Sequence, residues 1–270
     1  MDKKERSIGI FDSGIGGLTV LHEIHKRLPK EHTIYLGDTA RVPYGIRSPE
    51  TVIRYAFESA QFLTAKNIKV LVIACNSASA VSIDTLRKSF SLPIIGVIEP
   101  GAKAAVVATR NRKIGVIGTE ATIRSQAYDI AIRREDRSME VFSHACPLFV
   151  PLVEEGWSGT IVELAGEAYL KDISDKGIDT LVLGCTHYPL LKHVISRIVG
   201  QNITLIDSAV ETAKQLRAVL HELSLAATNE DKSIQEFFVT DSPARFLEVG
   251  ERFLGSKIHN IKKTALAMEV

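Results

Sequence analysis

The chain has 270 residues, 45% of them hydrophobic and 24% charged, the profile of an ordinary soluble globular protein with room for one large or two modest cores. A net charge of +1 and a pI near 7.8 give no electrostatic basis for a nucleic-acid or membrane-surface partner, and no apolar run approaches the roughly 20 residues that a bilayer span needs. Three widely spaced cysteines argue against a disulfide framework or a zinc site, and the charged start Met1 to Arg6 is unlike a signal peptide, so the expectation is a cytoplasmic protein with reduced thiols.

In chain order, Ser7 to Phe11 reads as a strand. Asp12-Ser13-Gly14-Ile15-Gly16-Gly17 turns it into a helix with Leu18, Leu21, Ile24 and Leu28 on one face. Thr33 to Leu36 is a second strand, followed by a long loop that carries Tyr44 and Gly45. Ser48 caps the next helix and Pro49 fits its first position. Then come a strand ending at Cys75, its helix, and a strand over Ile94 to Ile98.

A second series starts at Glu99-Pro100 with a helix over about 101–109. Lys113 to Gly118 is a strand, with Thr119 as the cap of the following helix, and Glu140 to Ser143 is another strand. Cys146 to Gly156 holds two prolines and reads as irregular, with Cys146 structural. Ser158 is the expected cap of a helix reaching Lys176. A strand ending at Cys185, a helix with Pro189 in its first turn, and a strand over Ile203 to Asp207 complete the series. The remainder reads as a helix over about 209–224, a polar break at Thr228 to Asp231, a strand over Gln235 to Val239 and a helix after Pro243.

The two series repeat one another. Leu71-Val72-Ile73-Ala74-Cys75-Asn76-Ser77 matches Leu181-Val182-Leu183-Gly184-Cys185-Thr186-His187, and Ile8 to Ser13 matches Ile114 to Thr119. Each cysteine therefore sits at the carboxyl end of a buried parallel strand, before a helix, where open α/β sheets bind ligands. The expected architecture is two similar Rossmann-like α/β domains with parallel-rich sheets, residues 1–98 with 208–270 and residues 99–207, and a cleft between them. Both thiols point into that cleft, and a helix N-terminus lowers a thiol pKa. His187 and Asp12 stand near them as proton-handling groups. The Gly-rich turn fails the dinucleotide and P-loop patterns but still offers N–H groups to a small carboxylate.

Four motifs, Asp12 to Val20, Val42-Pro43-Tyr44-Gly45, Ala74 to Ala80 and Gly184 to Leu191, together resemble the glutamate racemase family. The resemblance runs over about residues 7–215, in the expected order. It implies a cofactor-independent, metal-free isomerase acting on a small-molecule substrate, glutamate, as a homodimer, and supplying D-glutamate for peptidoglycan. It implies Cys75 and Cys185 as the two catalytic acid/bases, assisted by Asp12, Glu154 and His187, with Glu155 beside Glu154 as the competing carboxylate. It implies substrate binding by Asp12, Ser13, Tyr44, Gly45, Asn76, Ser77, Thr186 and His187. Ser77 stands where the family's threonine is expected and keeps its hydroxyl.

The chemistry asks for two acid/base groups on opposite sides of Cα, one thiolate and one thiol, exchanging roles with direction. Three other readings fit parts of the sequence. They are an aspartate racemase, a Cys–His amidase or acyl-transfer enzyme with Cys185 as nucleophile, and a small-anion-binding sensor.

Overall fold

The computed structural model describes residues 3–228 and 233–266, so most of the expected polar break and the last four residues lie outside the described residues. The first series forms β1 (Ile8–Asp12), α1 (Leu18–Arg27), β2 (Thr33–Gly37), α2 (Pro49–Thr64), β3 (Val70–Ile73), α3 (Asn76–Ser89) and β4 (Ile94–Gly96). The second forms α4 (Ile98–Ala108), β5 (Lys113–Gly118), α5 (Glu120–Arg124), α6 (Ala127–Glu135), β6 (Glu140–Ala145), α7 (Phe149–Glu154), α8 (Thr160–Ser174), β7 (Thr180–Gly184), α9 (Lys192–Val199) and β8 (Thr204–Asp207). α10 (Ser208–Glu222), β9 (Gln235–Val239), α11 (Pro243–Leu254) and β10 (Ile261–Lys263) follow.

The strands make two parallel sheets, ordered β10-β9-β2-β1-β3-β4 and β6-β5-β7-β8. The stretch β2-β1-β3-β4 repeats as β6-β5-β7-β8, so the likeness seen in sequence is a likeness of topology. In each sheet the order reverses beside the strand that carries the cysteine, the crevice where such sheets take ligands. The central strands are buried along their whole length, which explains their unbroken apolar runs. One cluster of buried side chains runs from Ile8 and Leu18 to Ile173 and Leu181, joining the two sheets' cores, and α10 packs on both α1 and α4. Among the described residues no helix is long and apolar enough to cross a membrane.

Ser48 and Thr119 cap their helices as expected, accepting from the backbone N–H groups of Thr51 and Thr122. Ser158 does not. α8 begins instead after Gly159, whose φ of 69° lies in the left-handed region that favours glycine. The Cys146 to Gly156 stretch is not irregular throughout, because it holds α7. Pro151 fits the first turn of that helix, where a missing N–H leaves no bond unmade. β10 has no counterpart among the expected strands; it is three residues long, carries two lysines and closes a sheet edge.

Candidate active site

Both cysteines stand at the same place in their sheets. Phe11 pairs with Ile73 and Ile117 with Leu183, and each cysteine follows two residues later. Cys75 is the N-cap of α3, and Cys185 precedes the 3₁₀ turn Tyr188–Leu191 that leads into α9. The two loops converge on one cavity of about 150 Å³. Its lining includes Cys75, Asn76 and Ser77 from one loop, Cys185, Thr186 and His187 from the other, and Ser13, Tyr44 and Gly45. A single wall thus gathers residues that lie up to 174 positions apart, Ser13 to His187.

Two of the expected site residues stand behind that wall. Asp12, expected to touch substrate, is buried and does not line the cavity; its Oδ2 accepts from the Gly14 N–H at 2.8 Å. Glu154 approaches the cavity through His187, with 2.9 Å between Glu154 Oε1 and His187 Nε2. Glu155 turns away to Arg245 on α11, at 2.7 Å. The same helix supports the inner pair. Arg252 donates to the Glu154 carbonyl at 2.7 Å, and Phe253 packs edge-on against the His187 ring at 5.1 Å between centroids.

The two sulfurs have different neighbours. Cys75 Sγ lies 3.6 Å from the Ser13 hydroxyl, and Cys185 Sγ lies 3.8 Å from His187 Nδ1. Burial, then the charge of Asp12, push the Cys75 thiol up to about 12, despite the Ala78 N–H at the helix start and the Ser13 hydroxyl. The expected lowering by the helix N-terminus is therefore outweighed at Cys75. Burial opposes charge on His187, but its hydrogen bonds to Cys185 and Glu154 prevail and raise it to about 10. Burial pushes the Glu154 carboxyl up as well, yet the hydrogen bond and charge of His187 hold it below the ordinary value. Asp12 is raised, chiefly by burial.

The Gly-rich turn serves close approach. A Cβ on Gly16 would fall 2.6 Å from the His187 ring, and one on Gly17 would fall 2.6 Å from the Asp12 side chain. The Thr19 hydroxyl lies 2.9 Å from the carbonyls of both Gly16 and Thr186, tying the turn to the opposite loop. Tyr44 donates to Asp38 Oδ2, which orders the long loop over the cavity.

Thr119, Glu120, Pro147, Val150 and Pro151 also line the cavity and were not foreseen there. Thr119 had a signal. It occupies in the second series the place of Ser13 in the first, and its Oγ1 lies 2.9 Å from Ser77 Oγ. The others come from α5 and the α7 region, which no repeat marks.

Residues 8–216 match the Asp/Glu/Hydantoin racemase family. The chain is 52% identical over 265 residues to a glutamate racemase of Geobacter metallireducens, covering 98% of each chain. It is 47% identical to one from Enterococcus faecalis, with 96% of this chain and 94% of that one covered. Among solved structures it resembles glutamate racemase from Francisella tularensis in complex with D-glutamate, with a TM-score of 0.92, 40% identity, and coverage of 97% and 98%. Its likeness to an aspartate racemase from Picrophilus torridus, at 18% identity and a TM-score of 0.55, is one of fold.

Proposed function

The chain belongs to the Asp/Glu/hydantoin racemase family, and within it we propose that it interconverts L- and D-glutamate without a cofactor, through two cysteines acting on opposite faces of Cα. It is an amino-acid racemase, an isomerase. The observation that carries the reading is the convergence of Cys75 and Cys185, from equivalent strand ends, on one cavity.

One sulfur, as thiolate, takes the α-proton: a C–H bond breaks, an S–H bond forms, and the electron pair stays on a planar carbanionic centre. The other, as thiol, returns a proton to the opposite face. In the reverse direction the roles exchange. The hydroxyls of Ser13, Ser77 and Thr186 and the amide of Asn76 hold the substrate carboxylates. Tyr44 and Gly45 close one side, and the buried setting excludes water, so these fixed dipoles stabilise the developing charge. His187, charged and braced by Glu154, stands ready to donate to Cys185 when that sulfur is thiolate. Asp12 acts from behind the wall by its charge on Cys75.

A Cys–His acyl-transfer mechanism would use Cys185 and His187 and leave Cys75 without a task, although Cys75 lines the same cavity. The relatives nearly half identical or more are glutamate racemases, which argues against aspartate as substrate. We read the six-stranded sheet with its helices, residues 1–98 and 208–270, and the four-stranded sheet with its helices, residues 99–207, as two domains. We further read the protein as a cytoplasmic homodimer that supplies D-glutamate to peptidoglycan synthesis. The absence of a membrane-crossing helix among the described residues is consistent with this, as are the exposed Trp157, Ile161 and Leu164 near the start of α8.

The direct test is incubation with L-glutamate in heavy water, following optical rotation and α-deuteration together. Loss of rotation with deuterium at Cα is expected; a folded protein that exchanges no α-proton would reject the reading.

A further inference from the structure

Tyr128, on α6, lines no part of the cavity and is almost wholly buried. Its hydroxyl donates to Asn76 Oδ1 at 2.8 Å, crossing from the four-stranded unit to the first turn of α3 beside Cys75. Asn76 lines the cavity, is 2% exposed, and has its Nδ2 buried without a hydrogen-bond partner in the protein. A buried amide N–H left unmade is costly, so such a group is aimed at something that arrives later. A carboxamide is planar, and fixing its oxygen fixes its nitrogen.

We propose that Tyr128 is a positioning residue of this site, holding the Asn76 amide so that its NH₂ faces the cavity and donates to a substrate carboxylate. The inference rests on the reading of the cavity as a glutamate racemase site. A reversed amide would present its carbonyl oxygen to the carboxylate and repel it. Burial pushes the Tyr128 phenol above its ordinary value, so it stays protonated and able to donate.

The ring has a fitted seat. A Cβ on Gly101 would fall 3.3 Å from Tyr128 Cε1, and one on Gly184 would fall 3.0 Å from Cε2. The glycine that precedes Cys185 thus makes room for the tyrosine that orders the residue after Cys75. The repeat does not provide this strut twice, because Thr186, opposite Asn76 in the second series, has no amide to orient.

Tyr128→Phe removes the hydroxyl and keeps the ring, so the test is a double-mutant cycle of wild type, Tyr128→Phe, Asn76→Ala and the double variant. KM and kcat are measured in both directions by circular dichroism, D-glutamate affinity by calorimetry, and the fold by thermal melting. Tyr128→Phe should raise KM and the dissociation constant about tenfold, while kcat falls less than about threefold. In the Asn76→Ala background it should add less than about twofold. Full additivity in that background, or a Tyr128→Phe protein within about twofold of wild type, overturns the proposal. A wild-type chain that does not turn glutamate over refutes the racemase reading and this inference with it; an active wild type with an indifferent Tyr128→Phe refutes the inference alone.

Discussion

The sulfur of Cys185 stands 3.8 Å from Nδ1 of His187. The matching neighbour of Cys75 is a hydroxyl, Ser13 Oγ at 3.6 Å, with the carboxylate of Asp12 buried behind it. Topology makes the two thiols equivalent, and their surroundings do not. Burial and the charge of Asp12 push the Cys75 thiol up, while beside Cys185 the His187 imidazole is raised by its hydrogen bonds.

The proposed two-thiol mechanism requires both cysteines for inversion. Cys75→Ala and Cys185→Ala should each lower racemisation at least about a thousandfold, since each removes one of two acid/base groups. Circular dichroism of the product mixture measures this. A single-cysteine variant that retained a tenth of wild-type racemisation would contradict the two-thiol mechanism.

Free L- and D-glutamate have equal free energies, so any variant must lower kcat/KM equally in the two directions. Glu154→Gln, which removes the brace on His187, should lower both ratios by about 10- to 100-fold. The asymmetry should appear instead in the α-deuterium isotope effect. It is expected to grow in the direction in which Cys185 abstracts the proton and to stay near wild type in the other. Equal changes in both directions would remove the special link between Glu154 and Cys185.

His187 is raised from 6.5 to about 10 in the folded protein, so between those values the folded state holds a proton that the unfolded state does not. Its contribution to stability is full below about pH 6.5 and is lost as pH rises through about 10. Urea denaturation of wild type and His187→Gln should show the largest gap near pH 6 and little gap above about pH 10. A gap independent of pH would mean that His187 is neutral in the fold.

Gly16→Ala puts a methyl group 2.6 Å from the His187 ring and against the Thr186 hydroxyl. Both residues line the cavity, so kcat/KM should fall by about 100-fold or more, while stability drops by about 1–3 kcal/mol. Steady-state kinetics and a denaturation curve separate the two. A variant with near-normal kinetics would show that the turn and the Cys185 loop move apart without consequence.

Lys69 and Glu31 form a buried ion pair at 2.5 Å, and Lys69 also donates to the Leu225 carbonyl at 2.9 Å, far from the cavity. Lys69→Met alone should cost about 3–5 kcal/mol, because it strands a buried carboxylate. Adding Glu31→Leu should recover a large part of that loss, and kcat should change little in either variant. Equilibrium unfolding checks the first claim, and the assay the second.

Local sequence decided the strands and where they end. Runs such as Leu71 to Ile73 and Leu181 to Leu183 can be buried on both faces only in a covered parallel sheet, and the polar residues after them mark its carboxyl edge. The internal repeat followed from the same runs, and with it the convergence of Cys75 and Cys185; it also marked Thr119, through its likeness to Ser13. Tertiary structure alone decided the withdrawal of Asp12 behind the wall, the bonding of Glu154 to His187 and of Glu155 to Arg245, and the contact from Tyr128 to Asn76. It also decided the raising of the Cys75 thiol. A pKa depends on how much water packing removes and on charges brought near from distant parts of the chain, and neither quantity is written in the residues flanking a cysteine.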